Sequence, residues 1–596
     1  MSKIFFLLIL VLFIRLPSVV AVSAEKINMV IETITDDKKL KKALDEHKKT
    51  LQEKAQLKIL SHKRSYLETE GEQYLQKLLK SLGYYNGEVK IQDSSESKIN
   101  TIVFNVIPNI LYTIGSVNIV VLESSKVAKG NLNLPDKKWY KLFTGNRAIA
   151  KTILAEEARL QDYIEDNNAV LKVEVAHEAV VNHANHTVDI NFNVVTGPIA
   201  YIKDVEFQGL KTIKESYARK IIPIKDGENF KISTIKESNH LLQQSGLFTL
   251  ADPVIPADVD KDGGIELVYK VKERKHKSIK AGVSYSTDFG AGVTLGWEHR
   301  NVFSEGEKIS STLSATKKEQ ILDTQFQKPC FLNDKQTLKL SNVISKEETL
   351  AYDDKGASLA AQLEREFTKK IKGGAGVKYS LDRIEDNTNQ TKTFGLLSLP
   401  FYGSYDSRDN ILNPTKGVFL NLEVSPFFNT INHNEKFTKK IISARTYLQA
   451  DTSIEPILAI KGEVGVISGT STANIAATER FYLGGAGSVR GYGYQLIGPL
   501  NAKNEPIGGR SYAEISVETR FKVSKNVGLV VFSDGGNVGN SPTIKFNEKL
   551  IWGAGLGVRY YTNFAPLRLD VAFPVSKKRR EIDKAFQIYF SIGQAF

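Results

Sequence analysis

Hydrophobic and polar positions follow two different rhythms along this chain, and the change falls near residue 276. Before it, helical periods mix with short alternating stretches, and the mixture recurs three times. The third copy is the plainest. Tyr201–Phe207 alternates as a strand ending at Gly209, residues 212–222 and 232–245 read as helices, and Gly246 stops the second helix. Strands around Pro253–Asp258 and Ile265–Val271 would close this copy, with Asp262-Gly263-Gly264 as the hairpin turn. The second copy opens with Tyr112–Val117, carries a helix over 147–166 and closes with Thr187–Val195. The first opens with Ile27–Ile31, carries helices near 36–57 and up to Leu82-Gly83, and closes with Ile102–Val106. Connections between copies are short, so residues 25–110, 111–198 and 199–276 are expected to form a semi-rigid arm of three α+β domains.

After residue 276 the helical period disappears, and sixteen strand-like segments can be laid end to end from 279 to 596. Where alternation can be tested it is apolar on one face and charged or small on the other. Trp552, Leu556 and Val558 oppose Gly553, Gly555, Gly557 and Arg559, while Leu567 and Leu569 oppose Arg568 and Asp570. Apolar-out and charged-in is the pattern of an antiparallel transmembrane barrel with a wet interior over residues 277–596. An even strand number puts both barrel ends on one side. The odd-numbered exits should then be the longer, external loops, and the longest connection, 467–508 after the eleventh strand, is one of them.

Composition narrows this reading. A mean hydropathy of −0.22 is what a barrel wall that is apolar on one face only would give. Residues 1–24 read as a signal peptide: Lys3, an apolar core from Ile4 to Ile14, and Val22-Ser23-Ala24 as cleavage site. The single cysteine, Cys330, excludes an internal disulfide. Export argues against nucleic acid as the partner of a chain with net charge +13. Outer-membrane lipids, including lipopolysaccharide phosphates, suit a basic surface better, and Lys577-Lys578-Arg579-Arg580 is the densest basic run. His177, His183 and His186 are read as a solvated loop rather than a metal site. No nucleophile elbow or other catalytic constellation is visible, so neither enzymatic activity nor a cofactor is expected.

The long loop contains Arg480-Phe481-Tyr482-Leu483-Gly484-Gly485 and then Ser488-Val489-Arg490-Gly491-Tyr492. Tyr405-Asp406-Ser407-Arg408-Asp409-Asn410 with Pro414-Thr415-Lys416-Gly417 falls between the eighth and ninth strands, and Val531–Asn537 ends the thirteenth. Set in a sixteen-strand barrel behind three repeats, these motifs resemble the outer-membrane assembly-factor superfamily that includes BamA, TamA and two-partner-secretion translocators. The resemblance implies that the repeats are periplasmic POTRA domains and that the loop folds into the barrel. It implies that Arg490 pairs there with Glu518 and Asp534, next to Gly491 and Tyr492, and that Asp406, Arg408, Asp409, Pro414 and Gly417 form a periplasmic turn. Strand parity independently puts Glu518 in the lumen, whereas the thirteenth strand is apolar on both faces and leaves Asp534 untested. An arginine buried there would require such partners.

The last strand alternates to an aromatic C-terminus, Phe596, and must pair with a first strand that is glycine- and serine-containing. A weak seam leaves backbone groups able to template an incoming strand, so Val283, Ser591, Gly593 and Phe596 are candidate lateral-gate residues. The resemblance implies insertion or secretion of unfolded outer-membrane client proteins such as autotransporters. Three domains point to the TamA-like branch, whose partner would be a TamB-like inner-membrane-anchored protein. A two-partner translocator for one exoprotein and a passive porin-like channel are the alternatives.

Overall fold

A computed structural model describes residues 28–592 except 59–63, 93–100, 128, 287–288, 388–389, 434, 453–454, 525, 545–548, 563–565 and 577–581. The signal-peptide reading (1–24), the basic run 577–580, Gly593 and Phe596 lie outside the described residues. The chain divides into two compact units, one of Met1–Val205, Lys225–Lys236 and Ile255–Leu267, the other of Glu206–Ile224, Glu237–Val254 and Val268–Phe596.

In the first unit, strands Asn28–Thr33, Thr101–Ile107 and Glu88–Ile91 form a sheet whose central strand pairs parallel on one side and antiparallel on the other. Helices Lys38–Lys58 and Arg64–Ser81 accompany it. Leu40, Leu44, Leu75 and Leu79 recur at helical spacing and join Phe104 in one buried cluster. Gly71 sits inside the second helix, where a Cβ would lie 2.4 Å from the Phe104 ring. A second sheet of the same strand order combines Thr113–Val121, Thr187–Thr196 and Val173–Asn182 with helix Ala150–Asn167. The two sheets are tied at a tight joint. Arg147 Nε donates to Leu82 O (2.7 Å), its Nη1 reaches Asp37 (2.5 Å), and its guanidinium lies 5.0 Å over the Tyr84 ring. Tyr112 N also donates to Gly83 O at 2.8 Å. His183 and His186 pack against the Tyr112 ring, while His177 pairs with Glu157.

The third sheet has the order Tyr201–Gln208, Gly264–Glu273, Phe248–Val254, with helices Glu215–Ile221 and Ile232–Gln244. Its second strand therefore starts five residues before the position read from sequence, at Phe248 rather than Pro253, because Phe248 and Ala251 supply the buried face. The turn is correspondingly longer, and the Asp260 carboxylate organises it by accepting from the Asp262 and Gly264 amides (3.0 and 2.7 Å).

The second unit carries the barrel. Seventeen antiparallel segments close on themselves, and two of them, Thr391–Ser398 and Phe401–Asp406, are halves of one crossing, which gives sixteen strands. Both halves keep one register against the seventh strand (Ile371–Asp386) and the ninth (Gly417–Asn429). The interruption falls at Leu399-Pro400, where proline removes a ladder donor. Burial alternates as the sequence pattern requires. In the fourteenth strand (Ile551–Tyr561), Trp552, Leu556, Val558 and Tyr560 are exposed, and Gly553, Gly555, Gly557 and Arg559 are buried. Two expectations fail. The external exits at 317–318 and 349–351 are shorter than the periplasmic ones at 301–307 and 407–416, since hairpins need only a tight turn on either side. The lumen is not charged throughout. Phe394, Leu396, Phe427, Phe437 and Ile467 point inward, because the long loop returns into the barrel and gives them apolar partners.

Helix Glu215–Ile221 is anchored to the barrel turn at 301–307: Lys214 N donates to Ser304 O (2.9 Å), and Lys214 Nζ reaches Glu305 (2.8 Å). Gly306 sits at φ +73°, with the Tyr217 hydroxyl 2.3 Å from where a Cβ would stand. Lys214 and Lys328 donate to Glu305 and hold its carboxyl down at about 2. Beside them, burial works against Glu273, yet the Thr212 hydroxyl and the amides of Lys211, Thr212 and Ile213 keep its carboxyl at about 2.

Candidate functional site

The connection from the eleventh strand (Ile457–Ser468) to the twelfth (Ser511–Lys522) lies largely inside the lumen. It first forms two short 3-10 turns, Thr472–Asn474 and Ala477–Glu479. Arg480 then fixes it, donating to Ile475 O (2.9 Å) and Ile507 O (3.1 Å) and reaching Asp386 (3.3 Å). Phe481 bridges to Gly509 and Leu483 to Ile497, so the segment doubles back as an irregular hairpin. Gly484 (φ +108°) permits the reversal, since a Cβ would meet Gly493 O at 2.4 Å. Ile475, Phe481, Leu483, Val489, Tyr492 and Ile497 thereby join the inward aromatic side chains of the wall in one apolar cluster.

Arg490 stands at the tip of this segment and is 1% exposed. Its guanidinium grips Asp534 in a fork, Nε to Oδ2 at 2.6 Å and Nη2 to Oδ1 at 2.8 Å, and its own amide donates to Oδ2 at 3.1 Å. Nη1 donates to Glu518 (2.7 Å) and Asp570 (3.0 Å), and the plane stacks 3.5 Å over Phe532. A buried arginine is tolerable only when its donors are met in this way. The carboxylates are shared onward: Glu518 accepts from Arg520 (2.9 Å), and Asp570 accepts from Arg559 and from Arg568 (2.6 Å). Gly491 (φ +96°) donates to the Tyr589 hydroxyl at 3.2 Å, and the Tyr492 hydroxyl donates to Trp552 O at 3.0 Å. Through Tyr589, which lies on the last strand (Gln587–Ile592), the loop tip touches the element that closes the barrel.

Sequence reasoning placed Arg559, Arg568 and Asp570 in the lumen by parity but did not join them to Arg490. Tyr589 was likewise on the inward face with no partner assigned. The glycine stripe of the fourteenth strand was a further unread signal. A Cβ at Gly553 would lie 2.0 Å from Arg490 O, and one at Gly557 would lie 2.1 Å from Asp570.

The first strand (Lys277–Ser286) pairs with the second over ten residue pairs, and among the described residues it pairs with the last strand over two, Tyr285–Phe590 and Ser286–Tyr589. Ser591 pairs with Arg568 of the fifteenth strand, as its neighbours Phe590 and Tyr589 pair with Leu569 and Asp570. Val283 lies on the first strand, 73% exposed on the outer wall, with no last-strand partner among the described residues.

The turn 407–416 is a separate, tightly wired piece. Arg408 forks Asp406 (2.9 and 2.7 Å) and stacks over Phe419 at 4.6 Å. Asp409 accepts from the amides of Asn410, Thr415 and Lys416 and from the Thr415 hydroxyl (2.6 Å). Backbone bonds to burial-raised carboxyls work the other way, and here the Thr415 hydroxyl and those amides prevail and hold Asp409 below the usual carboxylate range. Pro414 is buried, and Gly417 (φ +109°) passes so close to Ser407 that a Cβ would meet its carbonyl at 2.4 Å.

A sixteen-stranded antiparallel barrel with a loop returned into its lumen and a three-stranded α+β module before it defines a class of outer-membrane protein. Residues 301–596 match the Omp85 superfamily domain, and residues 200–274 match the POTRA family, described as a surface antigen variable number repeat. The chain belongs to the Omp85 superfamily, with its barrel in the outer membrane and its POTRA side in the periplasm. It is 24% identical to the outer membrane protein assembly factor BamA of Nitratidesulfovibrio vulgaris over 74% of this chain and 57% of that one. It is also 24% identical to BamA of Neisseria meningitidis, over 71% of this chain and 60% of the relative. The chain thus spans less than two thirds of the length of these curated relatives. Its fold is similar to the crystal structure of BamA from Haemophilus ducreyi lacking POTRA domains 1–3, with a TM-score of 0.60, 19% identity, and coverage of 80% of this chain and 99% of that one.

Proposed function

We propose that this protein inserts or translocates other outer-membrane proteins through a laterally opening barrel, and that it catalyses no reaction. The observation that carries the reading is a seam that shows two residue pairs among the described residues, in a barrel whose first two strands share ten. Unsatisfied strand edges template added strands, and a seam this short exposes them at small cost. The Arg490 cluster is the inner lock: it pins the loop to the twelfth, thirteenth and fifteenth strands and, through Tyr589, to the strand at the seam. A lumen filled by the loop's apolar cluster suits regulated passage of a polypeptide, not free diffusion of solutes.

Within this function, the finer assignment is to a TamA-like role: clients such as autotransporters and a TamB-like inner-membrane-anchored partner. Three sheets ahead of the barrel support it. A deletion strain is expected to lose several outer-membrane proteins; loss of a single exoprotein would point instead to a dedicated translocator. The gate is tested with Tyr285→Cys/Phe590→Cys, a directly opposed pair. The oxidised protein should stay folded and lose client assembly, and reduction should restore it. Full activity of the oxidised form would sink the lateral route.

A further inference from the structure

The inner wall carries a second charged cluster on the fourth (Glu319–Pro329), fifth (Gln336–Glu348), sixth (Tyr352–Thr368) and seventh strands. Glu319 stands directly opposite Glu347, and Glu347 directly opposite Asp354, so three carboxylates form one row across three strands. Asp382 joins them one register step below, directly opposite Gly356. All four face the lumen, since Leu322, Ile344, Leu359 and Leu381, of the opposite parity, are exposed on the outer wall. Like charges placed directly opposite destabilise a sheet, and burial adds to the cost. Among the described residues none of the four carboxylates has an ion-pair partner. The lysines nearest by register are Lys378, four residues below Asp382, the exposed Lys392, diagonal to Asp382, and the exposed Lys318 in the turn beside Glu319.

The carboxylates differ in what supports them. Glu347 accepts from the Tyr352 hydroxyl (3.0 Å) and from the Tyr494 hydroxyl of the long loop (3.5 Å). Asp382 accepts from the Ser380 hydroxyl through Oδ2 (2.7 Å), which leaves Oδ1 turned toward Asp354. Asp354 is 5% exposed, and its Oδ1 has no hydrogen-bond donor. Gly356 shapes the space between the two aspartates. A Cβ on it would lie 2.4 Å from Asp382 Oδ1, 3.0 Å from Asp354 Oδ2 and 3.3 Å from Ser345 Oγ. Three oxygens from three adjacent strands thus converge over one glycine, at a place where any side chain would push them apart. Among the described residues no three carboxylate, imidazole or thiolate groups form a complete cage, so the convergent set is two carboxylates and a hydroxyl.

We infer that Asp354, Asp382 and Ser345 bind a hard divalent cation, Ca²⁺, with water completing its shell and linking it to Glu347. Oxygen donors alone select against soft metals. Their unequal spacing suits the irregular shell of Ca²⁺ better than the near-ideal octahedron that Mg²⁺ demands. A site with two carboxylates and several waters belongs in the weak range, with Kd roughly 10⁻⁴–10⁻³ M. The ion cross-links the fifth, sixth and seventh strands. Through Glu347 and Tyr494 it also steadies the long loop four residues beyond Arg490.

The test uses the full chain refolded in lipid-free detergent micelles, so that no lipid phosphate competes for the ion. After chelator treatment, bound CaCl₂ is scored by equilibrium dialysis at neutral pH, and heat-modifiable migration checks that each variant folds. Wild-type protein should bind one more Ca²⁺ per chain than Asp354→Asn/Asp382→Asn, and MgCl₂ in about tenfold excess should leave that ion in place. Gly356→Ala, which fills the space between the aspartates, should weaken Ca²⁺ binding by about tenfold or more, whereas Asp353→Asn, on the outward face of the same strand, should bind as wild type does. Equal Ca²⁺ binding by wild type and the double variant would overturn the assignment and leave protons to neutralise the cluster. Displacement by Mg²⁺ would overturn the choice of calcium. Should the double variant fail to fold, Asp382→Asn alone decides, with the same reading of its result.

Discussion

Arg490 meets three carboxylates at once, and the partners are not equivalent. Asp534 takes both arms of the guanidinium fork and the backbone amide, while Glu518 and Asp570 share one terminal nitrogen. Lysine carries the same charge but no fork. Arg490→Lys is therefore expected to release the loop almost as fully as Arg490→Ala, seen as new protease cleavage within 469–510 of folded barrels. Asp534→Asn leaves a buried guanidinium short of charge and should cost about 3–5 kcal/mol, read from the heat-modifiability midpoint. Equal midpoints for Asp534→Asn and wild type would show that the cluster does not hold the loop. Glu518 was legible from sequence because strict alternation on the twelfth strand fixes its face. Asp570 was legible only as lumen-facing, since parity says which way a side chain points and nothing about what returns from 80 residues away to meet it.

At the scale of elements, the fourteenth strand shows how backbone shape is encoded by what is missing. Its inward glycines make room for close neighbours, Gly555 for Val571 and Phe532, Gly557 for Asp570, and Gly553 for the loop's own main chain at Arg490. Gly553→Ala should force the Arg490 carbonyl outward and weaken the cluster. Gly462→Ala, with nothing within 4 Å of the added methyl, should be silent, and this contrast is read by the same proteolysis. The strands themselves were readable because the period of two survives over long runs. The turn lengths were not, since a hairpin's length depends on twist and side-chain caps more than on which side of the membrane it faces. The apolar upper lumen was also hidden, because an inward phenylalanine looks misplaced until the loop that covers it is known.

On the scale of the whole molecule, the pieces are held by small polar joints. Arg147 fixes the first two sheets, and Arg147→Ala should broaden the distribution of arm dimensions in solution scattering without unfolding either sheet. Glu273, held at about 2 against an ordinary 4.5, stabilises the folded form fully above 4.5, and that contribution fades as pH falls toward 2. A Glu273→Gln variant should lose this acid-side slope in its thermal midpoint, and an unchanged slope would place the effect elsewhere. The domain count came from recurring periods, but the way the third module is seated on the turn at 301–307 depends on Lys214, Tyr217 and Gly306, residues that carry no periodic signal.

The broken eighth strand has a mechanical meaning. In a ring of sixteen strands, the eighth and ninth lie half a turn from the seam, and they carry Pro400 and Pro426. Each proline withholds one donor from the ladder. A cylinder slit on one side spreads by flexing along the line opposite, as a clothes-peg does at its spring. On the proposed lateral route, the compliance for such gaping would lie in the far wall, and stiffening that wall would hold the slit shut without touching either of its edges.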